Sequence, residues 1–136
     1  MDRKTFIHSV STSLACDSAR AEAITLIVFQ ELRGRITPRE AADAAAQMPL
    51  SLRELWLDGE DPKRPVSRVH RAEFLGRVRN RAMLGDDGEA ERSTKAVFRT
   101  LQHALGSAHG TEGEAWDILS QLPRDLKDLW IEAARE

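Results

Sequence analysis

One ten-residue segment occurs twice in this chain, and its repetition constrains the fold more than any other feature. The first copy runs from Gln47 to Trp56 and the second from Gln121 to Trp130, 74 residues later. Both copies read Gln-x-Pro-x-x-Leu-x-x-Leu-Trp. The identical spacing of proline, leucine and tryptophan predicts that the chain builds one structural unit twice.

A helix-start signal precedes each copy of the segment. Thr37 and Thr111 each stand 19 residues before the tryptophan, and each has a glutamate three positions later. A threonine in that position accepts a hydrogen bond from the first helical turn, and Pro38 suits that turn. The same reasoning assigns Asp17 or Ser18 as the cap of an earlier helix. It also assigns Ser51 and Asp125 as caps of short helices after each proline.

The rest of the chain also favours helices. Tyrosine is absent, other aromatic residues are few, and no stretch alternates apolar and polar residues for long. Phe74 and Val78 repeat Phe6 and Val10 at an offset of 68. We therefore predict an all-α domain over residues 1–136, with about eight helices in two pseudo-symmetric four-helix repeats that share one compact body. The repeats cover about 1–58 and 69–136, with a linker over about 59–68.

The repeated segment itself is best explained by geometry. Proline disfavours helical geometry in the preceding residue and sets a corner between two helices. The leucines and the tryptophan then share one face of the short helix, and a buried tryptophan covers roughly 150–250 Å². The glutamine can bond backbone groups freed at the corner. The structural anchors predicted on these grounds are Phe6, Gln47, Pro49, Trp56, Phe74, Gln121, Pro123 and Trp130. The alternative is that the paired tryptophans line a groove for a partner helix or an aromatic ligand.

A basic stretch follows the first repeat. Its cations are Lys63, Arg64, Arg68, Arg71, Arg77, Arg79 and Arg81, and Glu73 is the single acid among them. Such a stretch can hold phosphates or an acidic partner, so nucleic-acid or phosphate binding is the alternative function. No aromatic residue is placed for base stacking, which counts against recognition of single strands. A solvated linker and outer helix face is the simpler explanation.

Residues suited to catalysis or metal binding are scattered. The histidines are His8, His70, His103 and His109, and no pair of them has the spacing of metal ligands on a helix. Cys16 has Asp17 beside it and lies near a predicted helix end, where a thiolate can be favoured. A lone cysteine is more often an inert filler. We expect no enzyme, no cofactor and no metal.

Charge and hydropathy indicate where in the cell the protein works and which classes of partner it can have. The net charge of −2 argues against coating nucleic acid by bulk charge. The longest nearly apolar run, Ile24 to Phe29, is far too short to cross a bilayer. The first residues do not read as a signal peptide, since His8 and three serines interrupt the apolar run. We expect a cytoplasmic protein with no membrane partner.

These motifs together resemble the bacterial domain-of-unknown-function family 2267, over nearly the whole chain apart from the linker. The residues that match in the first repeat are Phe6, Val10, Glu40, Ala41, Gln47, Pro49, Leu52, Leu55 and Trp56. Those of the second repeat are Phe74, Val78, Glu114, Ala115, Gln121, Pro123, Leu126, Leu129 and Trp130. The resemblance implies an all-helical cytoplasmic bacterial protein and transfers no activity and no catalytic residues. We therefore expect a protein of unknown function, with a non-enzymatic helical interaction or regulatory module as the leading hypothesis. Its partner would be another protein or a second copy.

Overall fold

A computed structural model describes residues 1–106 and 113–136, and these residues form eight α-helices and no strand. The helices are α1 (Arg3–Leu14), α2 (Ser18–Arg33), α3 (Pro38–Ala46), α4 (Leu50–Trp56), α5 (Arg71–Arg81), α6 (Asp87–Ala104), α7 (Gly113–Gln121) and α8 (Arg124–Ala134). The all-α prediction is confirmed. The segment between α4 and α5 contains no helix and includes the predicted linker.

Among the described residues, side chains cap the starts of four helices. Asp2, Asp17 and Asp86 each accept a hydrogen bond of 2.8 Å from the amide three residues later. The Thr37 hydroxyl accepts one of 3.1 Å from Glu40 N. Each bond satisfies an amide that the first helical turn leaves without a partner. The predicted caps at Asp17 and Thr37 are thus confirmed, while the predicted cap at Thr111 lies outside the described residues.

The prediction that Ser51 and Asp125 cap their own helices is wrong. Pro49 and Pro123 occupy the cap positions of α4 and α8, both with φ −62° and ψ 157°. The Ser51 hydroxyl instead accepts a hydrogen bond of 3.1 Å from Arg3 N, at the start of α1. The Asp125 carboxylate accepts one of 2.8 Å from Arg71 N, at the start of α5. Each side chain therefore satisfies the first amide of a helix distant in sequence.

Two aromatic stacks form the centre of the core. In the first half, the ring of Phe29 lies 5.3 Å from that of Phe6 and 5.0 Å from that of Trp56. In the second half, Phe98 lies 6.0 Å from Phe74 and 5.1 Å from Trp130. All six rings are fully buried. The predicted anchor role of the repeated tryptophans agrees with this burial, and neither lines an open groove.

The two halves pack tightly against each other. Helix α1 contacts α6, α2 contacts α5, and α3 contacts α7, so the buried residues of both halves form one core cluster. Gln121 contributes to this junction, because its side-chain oxygen accepts a hydrogen bond of 3.2 Å from Thr37 N in the first half. The sequence predicted that Gln121 would bond backbone groups at its own corner, and it bonds the other half instead. Gln47, the corresponding residue of the first half, is exposed. The duplication and its boundaries stay predictions.

Within the described part of the chain, no helix combines the length and the apolar character needed to cross a membrane.

Candidate protein-interaction face

The outer surfaces of α3 and α7 adjoin where the two halves meet. We call this surface the α3–α7 face and define it by Glu40, Asp43, Glu114, Trp116 and Asp117. Small residues make the close approach possible, because the buried positions of α3 are all alanines and α7 buries an alanine beside Glu114. The hydrogen bond from Thr37 N to Gln121 Oε1 joins the start of α3 to the end of α7.

The carboxylates of this face are crowded and poorly compensated. One oxygen from each of Glu40, Glu114 and Asp117 lies within 4.8 Å of the others. The Oε2 atoms of Glu40 and Glu114 are buried and have no hydrogen-bond partner among residues 1–106 and 113–136. Burial raises the pKa of both glutamates, and the charges of Asp117 and Asp43 raise it further. The face therefore concentrates carboxylates that form no ion pair within the described residues.

This crowding predicts an unusual dependence of stability on pH. A carboxyl group whose pKa is raised on folding binds its proton more tightly in the folded state. Its stabilising contribution is complete below the ordinary glutamate pKa of about 4.3 and is lost as the pH rises through the folded-state value. We expect Glu40→Gln with Glu114→Gln to raise the free energy of unfolding at pH 7, by roughly 0.2–0.5 kcal/mol per like-charge pair removed. Urea unfolding of the variant and the unmodified protein measures this difference.

The gain should shrink as the pH falls from 7 towards the ordinary glutamate pKa of about 4.3, because protonation then relieves the same repulsion in the unmodified protein. Asp128→Asn is a matched control, since Asp128 is an exposed carboxylate on α8. A gain that stays constant over this range would contradict the assignment of repulsion to these glutamates.

The three carboxylates are also of the type that binds a hard divalent cation, because Ca²⁺ and Mg²⁺ prefer oxygen ligands. Glu40, Glu114 and Asp117 are the residues that could supply those ligands. Asp117 is exposed, and such surface groups occur commonly without a metal. An added divalent cation is therefore a useful control for experiments on this face.

Trp116 differs from the other two tryptophans in its exposure to solvent. Its residue is 51% exposed, whereas Trp56 and Trp130 are fully buried. It stands on α7 between Ala115, which is buried, and Asp117, which is exposed. At the corresponding position of α3, 74 residues earlier, the chain has Ala42. The core does not require a large ring at this position, because its counterpart is a methyl group.

Sequence reasoning did not single out this face. The signal was present as Glu-x-x-Asp at residues 40–43 and again at 114–117, in the register of the repeat. A separation of three residues places both carboxylates on one side of a helix. Only the packing of α3 against α7 brings the two pairs together, and sequence periodicity did not predict that contact.

Most of the predicted anion patch is used within the protein. Arg64 pairs with Glu60 at 2.6 Å, and Arg71 pairs with Glu91 at 2.5 Å and Glu132 at 2.8 Å. Three further arginines form ion pairs with acids on α2, α5 or α6, namely Arg77, Arg79 and Arg81. Lys63 and Arg68 are exposed, and neither has an ion-pair partner within the described residues. The patch that remains available to a ligand is therefore small.

Within the described residues, the histidines and Cys16 do not form a cluster. His70 Nδ1 lies 3.2 Å from Asp125, His8 and His103 are exposed at separate places, and His109 lies outside the described residues. Cys16 is partly buried, and burial followed by the charge of Asp17 raises the pKa of its thiol. A raised pKa disfavours the reactive thiolate. Activation of Cys16 near a helix end, which the sequence allowed, thus has no support from its surroundings.

Comparison with known proteins identifies the family. The family model described as "Uncharacterized conserved protein (DUF2267)" matches residues 3–129, which is most of the chain. No curated protein matches the chain significantly. The chain therefore belongs to the DUF2267 family of uncharacterized conserved proteins.

Proposed function

We propose that this protein is a non-enzymatic helical interaction module of the bacterial cytoplasm that binds a protein partner through the α3–α7 face. The observation that carries the proposal is the half-exposed ring of Trp116. A large aromatic side chain in water costs free energy that burial against a partner recovers. Tryptophan is also among the residues that most often dominate the energy of protein interfaces.

The charges of the α3–α7 face indicate which partner fits. Glu40, Glu114 and Asp117 crowd negative charge where α3 meets α7, the helix that also carries the exposed ring of Trp116. A lysine or arginine side chain from a partner would pair with these carboxylates and relieve their mutual repulsion. A second copy that docked through the same face would place acids against acids, because a two-fold interface joins identical surfaces. We therefore commit to a different protein that offers a basic residue beside an apolar one.

Trp116→Ala tests the proposal. This change leaves the fold intact, because the ring is half exposed and α3 has alanine at the corresponding position. Partners cross-linked to the unmodified protein in its own cells are identified, and the purified partner is then titrated against each variant. We expect Trp116→Ala to weaken binding at least about 30-fold, the effect of losing a 2 kcal/mol interface residue. Met83→Ala serves as the control, since Met83 is an exposed apolar residue at the C-terminal end of α5.

The charge component is tested separately. Glu114→Gln with Asp117→Asn should weaken binding and reduce its dependence on salt, because screening weakens attraction between exposed charges. Binding that is unaffected by Trp116→Ala and lost with Met83→Ala would overturn the proposal. Binding that requires added Ca²⁺ or Mg²⁺ would replace the basic side chain with a metal ion and would also contradict it.

The alternative is nucleic-acid or phosphate binding through the basic stretch. Its remaining support is the exposure of Lys63 and Arg68, which lack ion-pair partners in the described residues. A phosphate binder loses affinity steeply as salt rises, and changing Arg77 and Arg81 to glutamate should abolish such binding. Both arginines pair with Glu31, so that experiment requires a check of stability. Indifference to salt would remove this alternative.

A further inference from the structure

A groove opens on the surface of the first half. It is lined by α1, by the first turns of α2 and by Ser51 of α4, and it has a volume of about 660 Å³. This volume is within the range of small-molecule sites, roughly 300–1,000 Å³. Ile7, which is 7% exposed, supplies an apolar surface in the groove. Lys4, His8, Ser11 and Ser18 are among its polar lining residues.

The matching corner of the second half carries an ion pair. Its residues Arg79 and Asp87 occupy the positions of Ser11 and Ser18, at offsets of 68 and 69. There, Arg79 Nη1 lies 2.9 Å from Asp87 Oδ1, so an ion pair connects α5 to the start of α6. Ser11 and Ser18 are too short to form such a link. The connection between the two helices at this corner is therefore present in the second half and missing in the first.

Three charged residues of this groove, Asp2, Arg3 and Glu22, already have partners within the protein. Arg3 forms an ion pair with Glu22, as Arg71 does with Glu91 in the second half. The Asp2 carboxylate accepts the hydrogen bond that caps α1. Lys4 and His8 are exposed, and neither has a hydrogen bond or an ion pair within the described residues. They lie four residues apart and so project from one side of α1. The groove therefore offers the ammonium group of Lys4 and the imidazole of His8, both without a partner in the described residues, beside an aliphatic side chain.

We propose that this groove binds a small organic anion. Its apolar part lies against Ile7, and its carboxylate or sulfonate group pairs with Lys4 and His8. A charge-assisted hydrogen bond orients the anionic end, and burial of the apolar end supplies most of the affinity. The site is separate from the α3–α7 face and does not depend on the function proposed for that face.

The full chain can be tested with 8-anilinonaphthalene-1-sulfonate, an anion with an apolar body whose fluorescence rises when it leaves water. We expect saturable binding to one site. Lys4→Glu should weaken it about tenfold or more, and Lys63→Glu, the same charge change at an exposed linker lysine, should not. Amide NMR shifts on titration should concentrate at Ile7, His8 and Ser18. Equal affinity in the two lysine variants, or shifts elsewhere, would overturn the proposal.

A second variant introduces the ion pair of the other half. Ser11→Arg with Ser18→Asp should build the ion pair that Arg79 and Asp87 form and should block the groove. Urea unfolding confirms that the variant is folded, and a folded variant that still binds the probe with unchanged affinity contradicts the assigned location. Hexanoate should displace the probe, and inorganic phosphate at the same concentration should not. Equal displacement by phosphate would show a site for simple anions and would refute the apolar contact.

Discussion

Replacing Trp56 or Trp130 with alanine should lower the free energy of unfolding by about 3–5 kcal/mol, the usual cost of emptying a large core site. Both residues are fully buried, and each ring packs on a phenylalanine of the preceding long helix. Trp56 also donates a hydrogen bond of 2.8 Å from Nε1 to Ala41 O. Its removal leaves a buried carbonyl without that partner, which adds to the cost of the cavity.

Urea unfolding followed by far-UV circular dichroism measures both losses. Trp116→Ala is the matched control, because it removes the same side chain from a half-exposed position and should change stability by less than about 0.5 kcal/mol. A loss below about 1 kcal/mol for Trp56→Ala or Trp130→Ala, combined with loss of partner binding, would assign the buried tryptophans to recognition.

Replacing Arg33 with alanine should be the next most damaging change, at about 2–3 kcal/mol. Arg33 is buried, and its guanidinium donates hydrogen bonds of 2.6 Å to Trp56 O and 2.9 Å to Asp58 O. These carbonyls lie at and beyond the end of α4, where intrahelical partners run out. Burial lowers the pKa of Arg33, so removing the charge also relieves a desolvation cost. That relief keeps the expected loss below the tryptophan values.

The second half supplies the control for Arg33. Gln102 stands at the corresponding position and donates a hydrogen bond of 3.0 Å from Nε2 to Trp130 O. Arg33→Gln should therefore retain the bond to Trp56 O and lose less than half as much stability as Arg33→Ala. Thermal and urea unfolding of the two variants give the comparison. Equal losses would show that the charge of Arg33, rather than its hydrogen bond to the helix end, stabilises the first half.

Sequence patterns predicted the features that depend on neighbouring residues. The cap at Thr37, the corner at Pro49 and the buried face that contains Trp56 each follow from a few consecutive positions. Ser51 was assigned wrongly, because a hydroxyl bonds whichever free amide is nearest in space. That amide belongs to Arg3, which is 48 residues away. No rule based on neighbouring residues predicts a contact over this separation in sequence.

The basic stretch shows the same limit for charge. Read along the chain, it contains one acid among seven cations. In the folded protein, Arg71 meets Glu132 and Arg81 meets Glu31, residues that lie 61 and 50 positions away. The α3–α7 face is the reverse case, since Glu40 and Glu114 become crowded only when the halves meet. The density of charge along the sequence therefore overestimated the free positive charge of the basic stretch. It underestimated the negative charge of the α3–α7 face.

The position of Trp116 distinguishes the two halves of the protein. The aromatic stacks of the two halves are close to equivalent, yet Trp116 faces solvent where the other half has Ala42. Under the proposed function, a partner that recognises this ring finds it on one half of the protein, so we expect one partner per protein molecule. A ring on both halves would offer two binding sites and could link partners into chains. One side chain would thus set the stoichiometry of the proposed complex.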